Sequence, residues 1–164
     1  MKKILLLLFL LCNGFASSQA QSIKLPSECQ KILKTKFRSW KMANVPDEIK
    51  DYYKRERAFE LANLIKGDWN GDGKTDYAIL LDNKANVERR IILVLMKAKR
   101  SYKSYFLDGS DCIMSAKKGQ KDYSFDTGKN FRYKNDAIFN YIWEKAGVTY
   151  VWEKGKFGII TTSD

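Results

Sequence analysis

The sequence predicts an α+β fold, with an N-terminal helix packed on a mostly antiparallel β-meander. Three observations carry this. Apolar residues recur at helical spacing between Pro26 and Asn44, short apolar blocks dominate from Leu61 onward, and polar turn residues separate those blocks.

The helix is expected to begin at Ser27. Ser27 can cap it, and Gln30 follows three residues later as in a capping box. Leu33, Phe37 and Trp40 stand at i, i+4 and i+7, Ile32 widens the stripe, and Lys31, Lys34, Lys36 and Arg38 take the wet face. About four turns ending near Asn44 would result. Residues 46–60 are densely charged and admit a second short helix around Ile49, Tyr52 and Tyr53.

The β blocks follow in order. Leu64-Ile65 enters an acidic loop and Tyr77–Leu81 leaves it. Residues 82–86 read as a polar turn. Arg90–Lys97, Tyr102–Leu107, Cys112–Ala116 and Ala137–Trp143 read as strands, with 119–130 as a long loop. Val148–Trp152 and Phe157–Thr161 flank Glu153-Lys154-Gly155-Lys156, which is a hairpin with a glycine able to take positive φ. About seven strands are expected. No internal repeat occurs, so the pattern is not that of a propeller or solenoid.

The first 20 residues have the order of a secretory signal peptide. Lys2-Lys3 is basic, Ile4–Leu11 is apolar, and Ser18 and Ala20 are small residues before the expected cleavage point. The apolar run is shorter than the roughly 20 residues a bilayer span needs. Cys12 follows Phe9-Leu10-Leu11 rather than the small residue a lipoprotein signal wants. A single globular domain over residues 21–164 is therefore expected, periplasmic or secreted, with no transmembrane segment after cleavage. About 144 residues suffice for one domain with its own core.

The formal charge is +11, or about +9 without Lys2 and Lys3. Such a protein could meet anionic envelope polymers, membrane surfaces or acidic proteins. Its basic residues are dispersed and no nucleic-acid motif accompanies them, so nucleic acid is not expected as a partner. Cys29 and Cys112 would remain after cleavage. In an oxidising compartment they are expected to pair, closing a loop of about 80 residues that is worth about 4 kcal/mol in the chain-entropy model. Two buried free thiols are the alternative. The chain has no histidine, which removes Ser-His-Asp and Cys-His catalysis and most zinc sites.

The most specific segment is Asp68-Trp69-Asn70-Gly71-Asp72-Gly73-Lys74-Thr75-Asp76. Asp68, Asn70, Asp72 and Asp76 occupy positions 1, 3, 5 and 9 of a tight loop. Alternate oxygen-bearing side chains can converge there on Ca²⁺, a hard cation taking about six to eight oxygen ligands. Gly73 permits the sharp turn. Lys74 would offer its backbone carbonyl while its ammonium points away. Three carboxylates so close repel one another unless a cation sits among them. Position 12 is Ile79, where an EF-hand has a glutamate, and a strand pattern follows, so Asp76 would close the site. A metal-free Asp/Asn/Gly turn is the alternative.

Residues Gly67 to Leu80 resemble the calcium loop of FG-GAP/VCBS-type repeats. The resemblance implies a loop between two strands, with Ca²⁺ held by Asp68, Asn70, Asp72 and Asp76. It covers about 20 residues, and the single copy does not imply a propeller. The mature chain also looks like small exported bacterial proteins that carry one such loop.

Other signals are weaker. Asp126-Thr127-Gly128 matches the Asp-Thr-Gly of aspartic proteases, which need two aspartates sharing a proton, and one copy is present. Asp108, Asp111 and Asp122 are candidates to approach the acidic loop. Tyr133, Tyr141, Trp143, Tyr150 and Trp152 could form a binding strip or fill the core. The expected function is that of an exported calcium-binding protein, the ion structural, acting as a cell-envelope interaction module with an envelope or periplasmic protein partner. The alternatives are an envelope-polymer hydrolase and a periplasmic toxin-neutralising protein of immunity type. The absence of histidine and of a paired catalytic carboxylate motif weighs against an enzyme.

Overall fold

The computed structural model describes residues 23–56, 62–86 and 89–163. The expected signal peptide, residues 1–20, lies outside them. Among the described residues, two helices of ten residues, α1 (Ser27–Lys36) and α2 (Asp47–Glu56), accompany eleven strands. The first five strands are β1 (Trp40–Met42), β2 (Leu64–Gly67), β3 (Asp76–Asn83), β4 (Arg90–Lys97) and β5 (Tyr102–Asp108). They form one antiparallel sheet in the order β1-β3-β4-β5, with β1 and β2 sharing an edge of β3. The next strands are β6 (Cys112–Ala116), β7 (Lys121–Ser124), β8 (Lys129–Arg132), β9 (Ala137–Ile142), β10 (Ala146–Glu153) and β11 (Lys156–Ser163). A second antiparallel sheet runs β11-β10-β9-β6, and β7–β8 is a separate hairpin inserted between the paired strands β6 and β9.

This corrects the expected α+β class. The fold is mostly antiparallel β, and it is built on two sheets rather than on a helix layer over one sheet. Ile65, Ala78, Leu80, Ile92 and Val94 of the first sheet share a buried cluster with Ile113, Ile138 and Tyr150 of the second. The opposite face of the first sheet is also apolar: Leu64, Ile79, Leu81, Leu93 and Leu95 cluster with Cys29 and Phe37. Burial on both faces explains why β3 and β4 read as near-continuous apolar runs instead of alternating ones.

α1 is shorter than expected, and Cys29 is its one fully buried residue. It stops because Phe37 leaves helical geometry (φ −121°, ψ 40°), after which Trp40–Met42 pairs with Leu81–Asn83 as β1. The capping box is not formed: Pro26 is the N-cap, without a side-chain cap bond, and Gln30 Nε2 donates to the Leu25 carbonyl. The expected long loop at 119–130 holds β7 and the start of β8. Gly119 (φ +80°) precedes that hairpin and Gly128 (φ +65°) lies within its turn.

Asp82 is not in a turn. It lies in β3, 3 % exposed. Arg90 Nε donates to its Oδ1 at 2.6 Å and the Asn44 N–H to its Oδ2 at 3.0 Å. Arg90 also donates to the carbonyls of Asn44, Ser110 and Asp111. One ion pair thus ties the β1–α2 connection, β3, β4 and the β5–β6 connection.

Cys29 and Cys112 are free thiols, each fully buried, rather than the expected bridge. They belong to different core clusters, which keeps them apart. Cys29 packs with Ile79 and Leu93 on the outer face of the first sheet, and Cys112 with Val45, Ile49 and Tyr53. Burial pushes the Cys112 thiol up to about 11 and raises that of Cys29 as well. Both are therefore protonated and shielded at neutral pH. Iodoacetamide is expected to label neither in the native protein and both after denaturation without reductant, as read by mass spectrometry. A bridged peptide in the unreduced digest would restore the pairing.

Candidate metal centre

The acidic loop joins β2 to β3, whose register sets Gly67 opposite Asp76 and Leu64 opposite Ile79. The loop is anchored by Trp69, which is fully buried in the cluster shared by both sheets. Its ring lies against Gly67, where an added Cβ would fall 2.3 Å from the Trp69 ring. Gly71 (φ +75°) and Gly73 (φ +78°) supply the left-handed turns that let the chain curl above this anchor.

Within the curl the side chains turn back on the backbone. The Asp72 N–H donates to Asp68 Oδ1 (3.0 Å) and to Asn70 Oδ1 (3.1 Å), and the Gly73 N–H to Asp68 Oδ2 (2.8 Å). The Lys74 N–H donates to Asp72 Oδ1 (3.0 Å). Asp68 and Asn70 are thereby brought to one point, the Asp72 amide. Lys74 does not point away as expected. Its ammonium reaches Asp72 Oδ2 at 2.7 Å, because two residues in a tight turn place the pair side by side. That bond holds the Asp72 carboxyl below its ordinary range.

Asp76 is set apart from the other three. It is fully buried, and its oxygens accept from the Trp69 N–H (3.1 Å) and the Lys97 N–H (2.7 Å). Burial pushes its carboxyl up to about 6. The two amides oppose that rise, and the nearby charges of Asp72 and Asp68 add to it. No Lys or Arg side chain pairs with Asp76 among the described residues. Among those residues, no group of three or more His, Cys, Asp or Glu side chains is gathered closely enough to hold a metal. The donor chemistry still suits calcium: three Asp side chains and one Asn lie within nine residues, and each carboxylate oxygen keeps a further lone pair.

Two further residues join the loop. Asp136 Oδ2 accepts from the Asp68 N–H (3.2 Å) while its Oδ1 accepts from the Lys118 N–H (3.0 Å), and Asn135 sits against Gly71. Both precede β9 and reach the loop only through the tertiary fold, so no local spacing marks them. The three aspartates that were candidates for this approach lie elsewhere. The Asp108 carbonyl accepts from the Tyr150 hydroxyl, Asp111 accepts from the Trp143 N–H, and Asp122 accepts from the Tyr133 hydroxyl. Asp126 is in the exposed turn between β7 and β8, where it accepts from the Thr161 N–H. Of the aromatic candidates, Tyr133 and Tyr150 are core residues.

The chain matches no protein-family model, no curated protein and no solved structure.

Proposed function

We propose that this is an exported calcium-binding protein in which the ion is structural, periplasmic or secreted, and serving as an interaction module for an envelope or periplasmic protein. One observation carries the calcium reading. Asp76 is a fully buried carboxylate, with no cationic side chain paired to it among the described residues, at the base of a loop holding two more carboxylates. Buried charges are paired or coordinate metals. Asp68, Asn70, Asp72 and Asp76 would hold the ion through side-chain oxygens, and Lys74 through its carbonyl. Calcium would supply the positive charge that offsets the carboxylates. The four side chains and the backbone amides of Asp72, Gly73 and Lys74 fix the curl.

A second reading is a metal-free turn. It is favoured by the Lys74–Asp72 ion pair and by the backbone amides that already occupy the loop oxygens. Calorimetry and melting separate the two. A ligand of the folded state adds RT ln(1 + [L]/Kd), about 2.7 kcal/mol at a hundredfold excess over Kd. Millimolar calcium should therefore raise the melting temperature by several degrees over chelator, and more than magnesium does. Asp72→Ala should remove most of that response and Lys74→Ala should keep it. Equal melting curves with no calcium heat would leave the turn reading.

A further inference from the structure

We propose that the recess between α1, β1 and the β3–β4 connection docks the protein on an anionic phospholipid surface. The recess, of about 340 Å³, has an apolar floor of Leu33, Phe37, Trp40 and Leu81. Every charged residue lining it is basic: Lys34, Arg38, Lys41 and Lys84. All four are exposed, and none pairs with a carboxylate among the described residues. Arg89 adds a fifth cation, 5.9 Å from the centre of the Trp40 ring. The rim is also held together. Lys84 Nζ donates to the Arg38 carbonyl (2.6 Å) and the Lys84 N–H to the Ser39 carbonyl (2.8 Å).

Charge decides the occupant. A second copy would set the same cations against each other. The chain's own first 22 residues carry two lysines and no carboxylate, so they offer nothing to this rim. The fitting partner is anionic. Apolar side chains decide its kind: Met42 is 39 % and Phe106 58 % exposed, Phe106 with its ring 5.5 Å from that of Phe37. Exposed apolar groups beside a half-buried Trp, ringed by Lys and Arg, match the boundary between phosphate headgroups and acyl chains. No helix among the described residues is long and apolar enough to cross a membrane, so the contact is peripheral.

The test is co-sedimentation of the exported protein with vesicles of equimolar phosphatidylglycerol and phosphatidylcholine, against phosphatidylcholine alone. Binding is expected to the first, not to the second, and to weaken with salt. Each cation at an anionic surface is worth about fivefold in binding, so the K34E/R38E/K41E variant should lose more than about a hundredfold. The K121E/K129E/K156E variant changes net charge equally, on the hairpin and the second sheet, and should bind nearly as the parent does. Met42→Ser should weaken binding with no change in charge. Equal losses in the two reversed variants, or no loss in Met42→Ser, would overturn the docking site. Binding of soluble polyglutamate without vesicle binding would overturn its assignment to lipid.

Discussion

Asp82→Ala is expected to destabilise the protein by about 3 kcal/mol, because it takes from the Arg90 guanidinium, 18 % exposed, the buried carboxylate 2.6 Å away and leaves it the more distant, half-exposed Asp111 at 3.9 Å. The Asn44 amide loses its acceptor in the same step. For a chain of this size the melting temperature should fall by about 10 °C. The pair is costly to break yet replaceable. Asp82→Leu combined with Arg90→Met should be less destabilised than the sum of the two single changes, since apolar groups of similar volume carry no desolvation penalty. Urea denaturation of the four proteins measures this. A loss below about 1 kcal/mol for Asp82→Ala would show that the network contributes little.

The second large effect is expected at Trp69. Trp69→Ala should cost about 3–5 kcal/mol, the range for removing a buried aromatic from a core. The indole fills space between the two sheets and rests on Gly67, so its loss opens a cavity and frees the acidic loop at its anchor. Gly67→Ala meets the same ring from the other side, with its Cβ 2.3 Å from a ring carbon, and should also destabilise. Trp69→Phe should lose less than Trp69→Ala. Melting curves of the three variants check the order, and an unchanged Trp69→Ala curve would remove the anchoring role.

What is legible in the sequence follows from how local each signal is. Arg90–Lys97 and Cys112–Ala116 can be read to the residue, because both strands are buried along most of their length and so concentrate apolar side chains. The hairpin around Gly155 can be read because its turn needs positive φ. Trp40 misleads. It falls on the helical stripe of Leu33 and Phe37, and all three do pack on one cluster, but Trp40 arrives there from a strand. The β7–β8 hairpin leaves no alternation to read, since most of its residues face water on either side. The fold class escapes for a related reason: periodicity shows that a strand is buried without showing whether helix or sheet covers it. At the loop, Asp68, Asn70, Asp72 and Asp76 are visible as a spacing. The burial of Asp76 and the approach of Asp136 depend on residues far away in the chain.

The Asp76 carboxylate accepts one amide from its own loop and one from the far end of β4. It is therefore a latch with two catches. Withdrawal of this one carboxylate would release both amides at once, which links opening of the loop to opening of the end of β4 although Lys97 lies 21 residues beyond Asp76 in the chain.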